Sequence, residues 1–173
     1  MAKTTIQHDF DCTEPAFWQV SYFDEEFNRR LYLDTLKFPV WRILEQDVTD
    51  ARMRRRVEIQ PFVENLPTAI KKVVGDKLGY TEEGELDRKA NRYRFRAIPV
   101  SGAEKTDIAG EIWTEALGPN RVRRIVQFSA EVRILMVGKL IEQRTIDDTK
   151  ATYDRIAQFL RSYLREKGFA SAG

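Results

Sequence analysis

The sequence predicts an α+β fold: a curved antiparallel β-sheet of about six or seven strands wrapped around one long C-terminal helix, with two short helices after the first strand. Three observations predict it. From Val40 to Ile134 the chain is a succession of segments whose apolar side chains alternate and whose ends carry turn residues. From about Leu135 to Lys167 the apolar spacing becomes helical. Two short helical patterns stand between the first alternating segment and Pro39. Short turns make successive strands antiparallel neighbours, and a sheet of that size twists and curls. The long helix must bury its stripe, and the concave face of the sheet is the only surface large enough to take it.

Each element has a local reason. Residues 3–10 alternate, with Ile6, His8 and Phe10 on one face. Thr13 offers an N-cap, and Glu14 and Pro15 suit a first helical turn. Phe17, Trp18 and Val20 are the apolar side of that helix. Asp24 caps a second one, which turns Phe27, Leu31 and Tyr32 inward until Pro39 ends it. Strands follow over 40–48 and 53–60, joined by a TDAR turn, and Met53, Arg55, Val57 and Ile59 share a face. Pro61 breaks the ladder. Residues 66–74 carry Leu66, Ala69, Ile70, Val73 and Val74 at helical spacing with lysines opposite, and Gly75 is the C-cap.

The strands resume over 78–87, read as a strand with exposed acids, and over 91–98, where Tyr93, Phe95 and Ala97 oppose Arg92, Arg94 and Arg96. In 106–116, Ile108, Gly110 and Ile112 oppose Ala109, Glu111 and Trp113. After a Gly118-Pro119-Asn120 turn, 121–134 presents Val122, Arg124, Val126, Phe128, Ala130, Val132 and Ile134 on one face. The inner stripe of the last helix reads Leu140, Ile141, Thr145, Thr149, Thr152, Ile156, Phe159, Leu160, Tyr163 and Leu164. Gly168 ends it. Residues 1–168 are expected to be one domain and 169–173 a frayed tail.

Composition narrows the function. At 173 residues, 42% hydrophobic and 32% charged, the chain has the size and apolar content of one packed domain. Cys12 is the only cysteine and His8 the only histidine, which argues against a disulfide scaffold, a zinc site and a histidine triad. No metal or cofactor is expected. No apolar run approaches the ~20 residues of a membrane span, and the opening residues lack the apolar core of a secretion signal, so a cytoplasmic location is expected. The first 51 residues are net acidic and the rest net basic, with arginine runs at 52–56 and 92–96. Such a strip either meets anionic phosphate or is a solvated face whose arginines pair with Glu58, Glu111 and Glu115 on neighbouring strands. Aromatic side chains do not interleave with the basic runs in a base-stacking pattern and no known nucleic-acid motif appears, so nucleic acid is not an expected partner.

Small residues sit where a tight core would hold large ones: Gly110, Ala130, and Thr145, Thr149, Ala151 and Thr152 along the helix. They either leave an unfilled cavity between helix and sheet or allow a close helix–sheet approach.

Three segments, FDCTEPAFWQVSYFDEEFNRRLY, NLPTAIKKVVG and VGKLIEQRTIDDTKATYDRIAQFL, together with the element order, resemble the START-like (SRPBCC) helix-grip superfamily, which includes the Bet v 1-like proteins. The middle segment is similar to one in PRELI-like lipid-transfer proteins and to one in an uncharacterised bacterial family of the same superfamily. Gly138 and Glu142 stand where those families often show Gly and Glu. The resemblance implies a pocket for an apolar ligand such as a lipid, sterol or polyketide.

The strand and helix registers then name the expected walls: Phe10, Val57, Ile59, Tyr93, Phe95, Ile108, Ile112, Val126, Phe128, Val132, Thr145, Thr149, Thr152 and Ile156. Arg55 and Arg124 share the inward register. They either hold an anionic headgroup or pair with Asp148 or another acid, unless a bulge turns them outward. Helix 66–74 is either a gate, with Leu66, Ile70 and Val73 as its apolar face and transient membrane-surface contact, or a satellite helix packed on the sheet edge. No catalytic residue is assigned. An enzyme of the cyclase, dehydratase or hydrolase kind would need an acid or base in the cavity, with His8 first and Tyr93 next. A filled core would instead make the chain an interaction module, with Trp113 and the arginine ladder at an interface.

Overall fold

The computed structural model describes residues 1–75 and 78–170. Strand β1 (Ala2–Phe10) leads into α1 (Glu14–Phe23) and α2 (Glu25–Arg29), which continues as a π-helical turn (Arg30–Thr35). Strands β2 (Val40–Val48) and β3 (Arg52–Gln60) precede α3 (Thr68–Val74). Then come β4 (Tyr80–Asp87), β5 (Arg92–Pro99), β6 (Thr106–Gly118), β7 (Arg121–Val132) and α4 (Gly138–Glu166). The seven strands form one antiparallel sheet ordered β1-β7-β6-β5-β4-β3-β2, with α4 packed on β7 and β1. The expected fold class is the observed one.

The caps work as their residue types require. Thr13 Oγ1 accepts the Ala16 N–H at 3.2 Å and Asp24 Oδ1 accepts the Phe27 N–H at 3.0 Å. Each such cap stabilises its helix by about 1 kcal/mol. Phe17, Trp18, Val20 and Tyr22 of α1 are buried, and Tyr22 packs on Tyr93 with ring centroids 4.7 Å apart. The two short helices therefore fill the end of the grip over the row Met53, Leu86, Tyr93, Ile112 and Val126, whose members are paired neighbours across the sheet.

Most of the basic strip is paired. Arg54 meets Glu85 at 2.6 Å, Arg56 meets Glu45 and Glu83, and Arg92 and Arg94 both reach Glu111 at 2.6 and 3.1 Å. Glu58 pairs with Arg42 rather than with the runs. The Arg92 guanidinium lies over the half-buried Trp113 ring, 4.8 Å from its centroid.

Four expectations are corrected. Helix α4 begins at Gly138, not Leu135; Leu135 and Met136 are 90% and 95% exposed. Strand β7 ends at Val132, short of Ile134. Leu140 is 45% exposed, while Ile146 and Glu142 are the buried residues of that stretch. Gly110 leaves no void, because the Phe95 ring lies across it and a Cβ there would come within 2.3 Å of Phe95 Cζ. Past α4, the Phe169 and Ala170 amides still donate to the Leu164 carbonyl at 2.9 and 3.2 Å; the rest of the expected tail, 171–173, lies outside the described residues.

Candidate functional site

The sheet and α4 part at the end opposite the short helices. Between them lies a cavity of about 790 Å³. Its sheet wall is read off the pairing rows. Phe95 and Phe128 mark the border, the next row gives Glu82, Ala97 and Ile108, and the last gives Ile59, Tyr80, Pro99, Thr106 and Val132. From α4 come Thr145, Thr149, Thr152 and Ile156. Leu66, Ile70 and Val73 close the side where α3 crosses. Ile70 is 3% exposed and faces inward, so of the two α3 residues expected to touch a membrane only Val73 is presented to solvent.

One side chain ties the covering loop to the helix. Arg144 donates to Glu64 O at 2.8 Å and Asn65 O at 3.2 Å, and its Nε is held by Asp148 at 2.9 Å. Asp148 is therefore committed to Arg144 and not to Arg55 or Arg124.

Seven expected wall residues lie outside the cavity lining. Phe10, Val57, Tyr93, Ile112 and Val126 are buried in packed core. Strand register fixes which face a side chain takes, but not which end of the strand the short helices fill. Arg55 and Arg124 are also buried without lining the cavity. Arg55 is held in an aromatic box of Tyr22, Trp41 and Tyr93, donates from Nε to the Tyr93 hydroxyl at 3.2 Å, and stands 3.7 Å from Glu82. Arg124 stacks on Phe10 and Tyr153 and donates to His8 Nδ1 at 2.8 Å. Neither guanidinium is presented to the cavity for an anionic headgroup.

Beside the expected threonines of α4, the cavity is lined by polar groups that the sequence reading does not place there, Glu82, Tyr80 and Tyr153 among them. Glu82 accepts from the Tyr93 hydroxyl at 2.7 Å. Tyr93 reaches it by lying across Gly84, where a Cβ would come within 1.8 Å of the phenol oxygen. Tyr32, Tyr80 and Tyr153 line the same wall. Burial pushes the Tyr32 phenol up to about 12. Burial first, and the Glu82 carboxylate second, raise Tyr80 and Tyr153 as well, so all three stay protonated at neutral pH. A signal for two of these positions exists in the sequence: in YTEEGELD, Tyr80 and Glu82 share the alternation of Gly84 and Leu86, and Leu86 marks that face as inward. The acids mask it. Arg144 has no comparable signal.

His8 is not in this cavity; it borders a surface depression with Asp9, Arg121, Arg123 and Arg161. Arginine can only donate, so Nδ1 accepts from Arg124 and Nε2–H donates to Asp154 at 2.8 Å. Burial first, then Arg124, lower its pKa below the ordinary 6.5, against the pull of Asp154. The unfolded chain therefore binds a proton on His8 that the folded chain refuses, in the window just below 6.5. The stability this neutral histidine contributes is complete above that window and declines as pH falls through it. Thermal denaturation followed from about pH 8 to about pH 5 is expected to show a shallower acid-side decline in His8→Gln than in the parent chain; parallel curves would contradict it.

Among the described residues no group of three His, Cys, Asp or Glu side chains could hold a metal ion. No helix there is long and apolar enough to cross a membrane.

A curved seven-stranded antiparallel sheet gripping a long C-terminal helix, with short helices after β1, is the helix-grip fold of the START-like superfamily, which includes the Bet v 1-like proteins. The chain is similar in structure to the Zhui aromatase/cyclase from Streptomyces sp. R1128, at 11% identity and TM-score 0.70, over 99% of this chain and 98% of that one. It is similar to norcoclaurine synthase from Thalictrum flavum, solved with dopamine and hydroxybenzaldehyde, at 14% identity and TM-score 0.58, over 92% and 87%. A START superfamily protein from Mycobacterium smegmatis matches at 10% identity and TM-score 0.57, over 95% and 97%. Residues 5–164 match the family described as "Protein of unknown function (DUF2505)", and the chain belongs to that family. No curated protein matches it in sequence.

Proposed function

We propose that this protein binds a hydrophobic small molecule or lipid without covalent chemistry, in the cavity between α4 and the sheet, and acts as its carrier. The cavity itself carries the reading. Its volume of about 790 Å³ falls within the ~300–1,000 Å³ of ordinary ligand sites and well above what a filled core would leave. Apolar side chains make most of its wall, so ligand area leaving water at ~25 cal/mol per Å² supplies the driving force. Structural neighbours that include an aromatase/cyclase and a START superfamily protein support a small-molecule site in this fold. Loading from a membrane would use exposed apolar side chains: Phe62 and Val73 line the cavity, Val73 follows Lys71 and Lys72 on α3, and exposed Val100, Leu135 and Met136 adjoin the lining residues Pro99, Ser101 and Ile134 in the chain.

The test is native mass spectrometry and organic extraction of protein purified from cells, before and after incubation with mixed-lipid vesicles. Bound small molecules released by solvent are expected. Repeated recovery of empty protein from both preparations would overturn the carrier reading. Loading from vesicles that is unchanged in a Leu135→Glu, Met136→Glu double variant would remove these two side chains from it.

A further inference from the structure

The cavity wall is not uniformly apolar. Among its polar lining residues are Glu82 and the tyrosines Tyr32, Tyr80 and Tyr153, and their hydrogen-bonding capacity is uneven. Glu82 has one oxygen engaged by Tyr93, and its other oxygen has no partner among the described residues. Tyr32, Tyr80 and Tyr153 line the same cavity, and their hydroxyls make no hydrogen bond with any described residue. All four residues line the same cavity, and Tyr80 stands two positions before Glu82 on the same face of β4. Unpaired polar groups facing a largely apolar cavity are costly unless something entering it satisfies them.

We propose that the ligand's polar end is an uncharged hydroxyl, an alcohol or a phenol, which donates to Glu82 and is completed by the Tyr32, Tyr80 and Tyr153 hydroxyls. This rests on the carrier reading and names the ligand class for it. The charge balance decides against the alternatives. Arg55 stands 3.7 Å behind Glu82 and offsets its charge, so an ammonium gains little by entering. A carboxylate head would set a second negative charge beside Glu82, and the lining arginines among the described residues already hold other partners. The lining cations are engaged: Arg144 with Asp148 and two carbonyls, and Arg155 with Thr35 O at 2.7 Å. The hydroxyl's own oxygen accepts a phenol O–H, so a single group uses both the carboxylate and a phenol.

Displacement of Nile red by decanol, decanoate, decylamine and decane distinguishes the possibilities, since the four differ only at the head. Decanol is expected to bind at least about tenfold more tightly than decanoate and decane. Glu82→Gln should shrink the decanol-to-decanoate ratio to about threefold or less. A Tyr80→Phe, Tyr153→Phe variant deletes two hydroxyls while keeping the rings. It should weaken decanol and leave decane unchanged, and it stands as the test if Glu82→Gln does not fold. Decanoate, decylamine or decane equal to or tighter than decanol would overturn the hydroxyl assignment and leave the cavity reading in place. Failure of all four to displace the dye would overturn both.

Discussion

Thr149→Trp is expected to abolish binding of a solvatochromic apolar probe, with a loss of at least about tenfold, roughly 1.4 kcal/mol, while the far-ultraviolet spectrum stays that of the parent chain. Thr149 sits midway along α4 with its side chain on the cavity wall. An indole there occupies space that the protein's own atoms leave open, so it displaces no core side chain. Helix propensity does not interfere, because Trp and Thr stand close together on that scale. Thr149→Ala is the control: it enlarges the same space and should retain binding. Unchanged affinity in the Trp variant would mean that the probe sits elsewhere.

Gly138→Ala is expected to destabilise the fold by about 3 kcal/mol, lowering the melting temperature by roughly 6–12 °C in a chain of this size. A Cβ on Gly138 would stand 2.2 Å from the Val132 carbonyl oxygen, and that neighbour is backbone, which no rotamer change can move. Alanine's better helix propensity contributes at most about 1 kcal/mol in the other direction and does not offset the clash. Immediately beside this contact, Glu142 accepts the Val132 N–H at 2.8 Å. Glycine and glutamate together thus dock the start of α4 against the end of β7. Gly118→Ala is the comparison, since nothing lies within 4 Å of its Cβ position; it should change stability by about 0.5 kcal/mol or less. Equal melting of the Gly138 variant and the parent would contradict the docking argument.

The architecture was legible because it rests on periodicity. Alternation over β3, β5 and β7 gave the buried faces, and Thr13, Asp24 and Gly75 gave the helix ends, since capping is decided by one residue and its neighbours. The threonines of α4 and the border pair Phe95 and Phe128 were legible for the same reason. The position of the cavity along the strands was not. It depends on how far α1 and α2 reach over the sheet, a tertiary quantity with no local signature. That is why Tyr93, Ile112 and Val126 were expected in the wall and lie in the packed core. An acid in an exposed-looking strand reads as solvated, whereas Tyr93, lying across Gly84, makes Glu82 a half-buried acceptor. The helical period is read from about Leu135, whereas the chain turns there and Met136 takes φ +72°.

The single side chain that joins α4 to the covering loop separates two properties of the site. Swinging residues 64 and 65 aside breaks two bonds from Arg144 to backbone carbonyls and disturbs no strand of the sheet. On the carrier reading proposed above, the sheet and helix walls would set how firmly a guest is held and this guanidinium at the edge how quickly it comes and goes, so residence time could drift in evolution with little change in affinity.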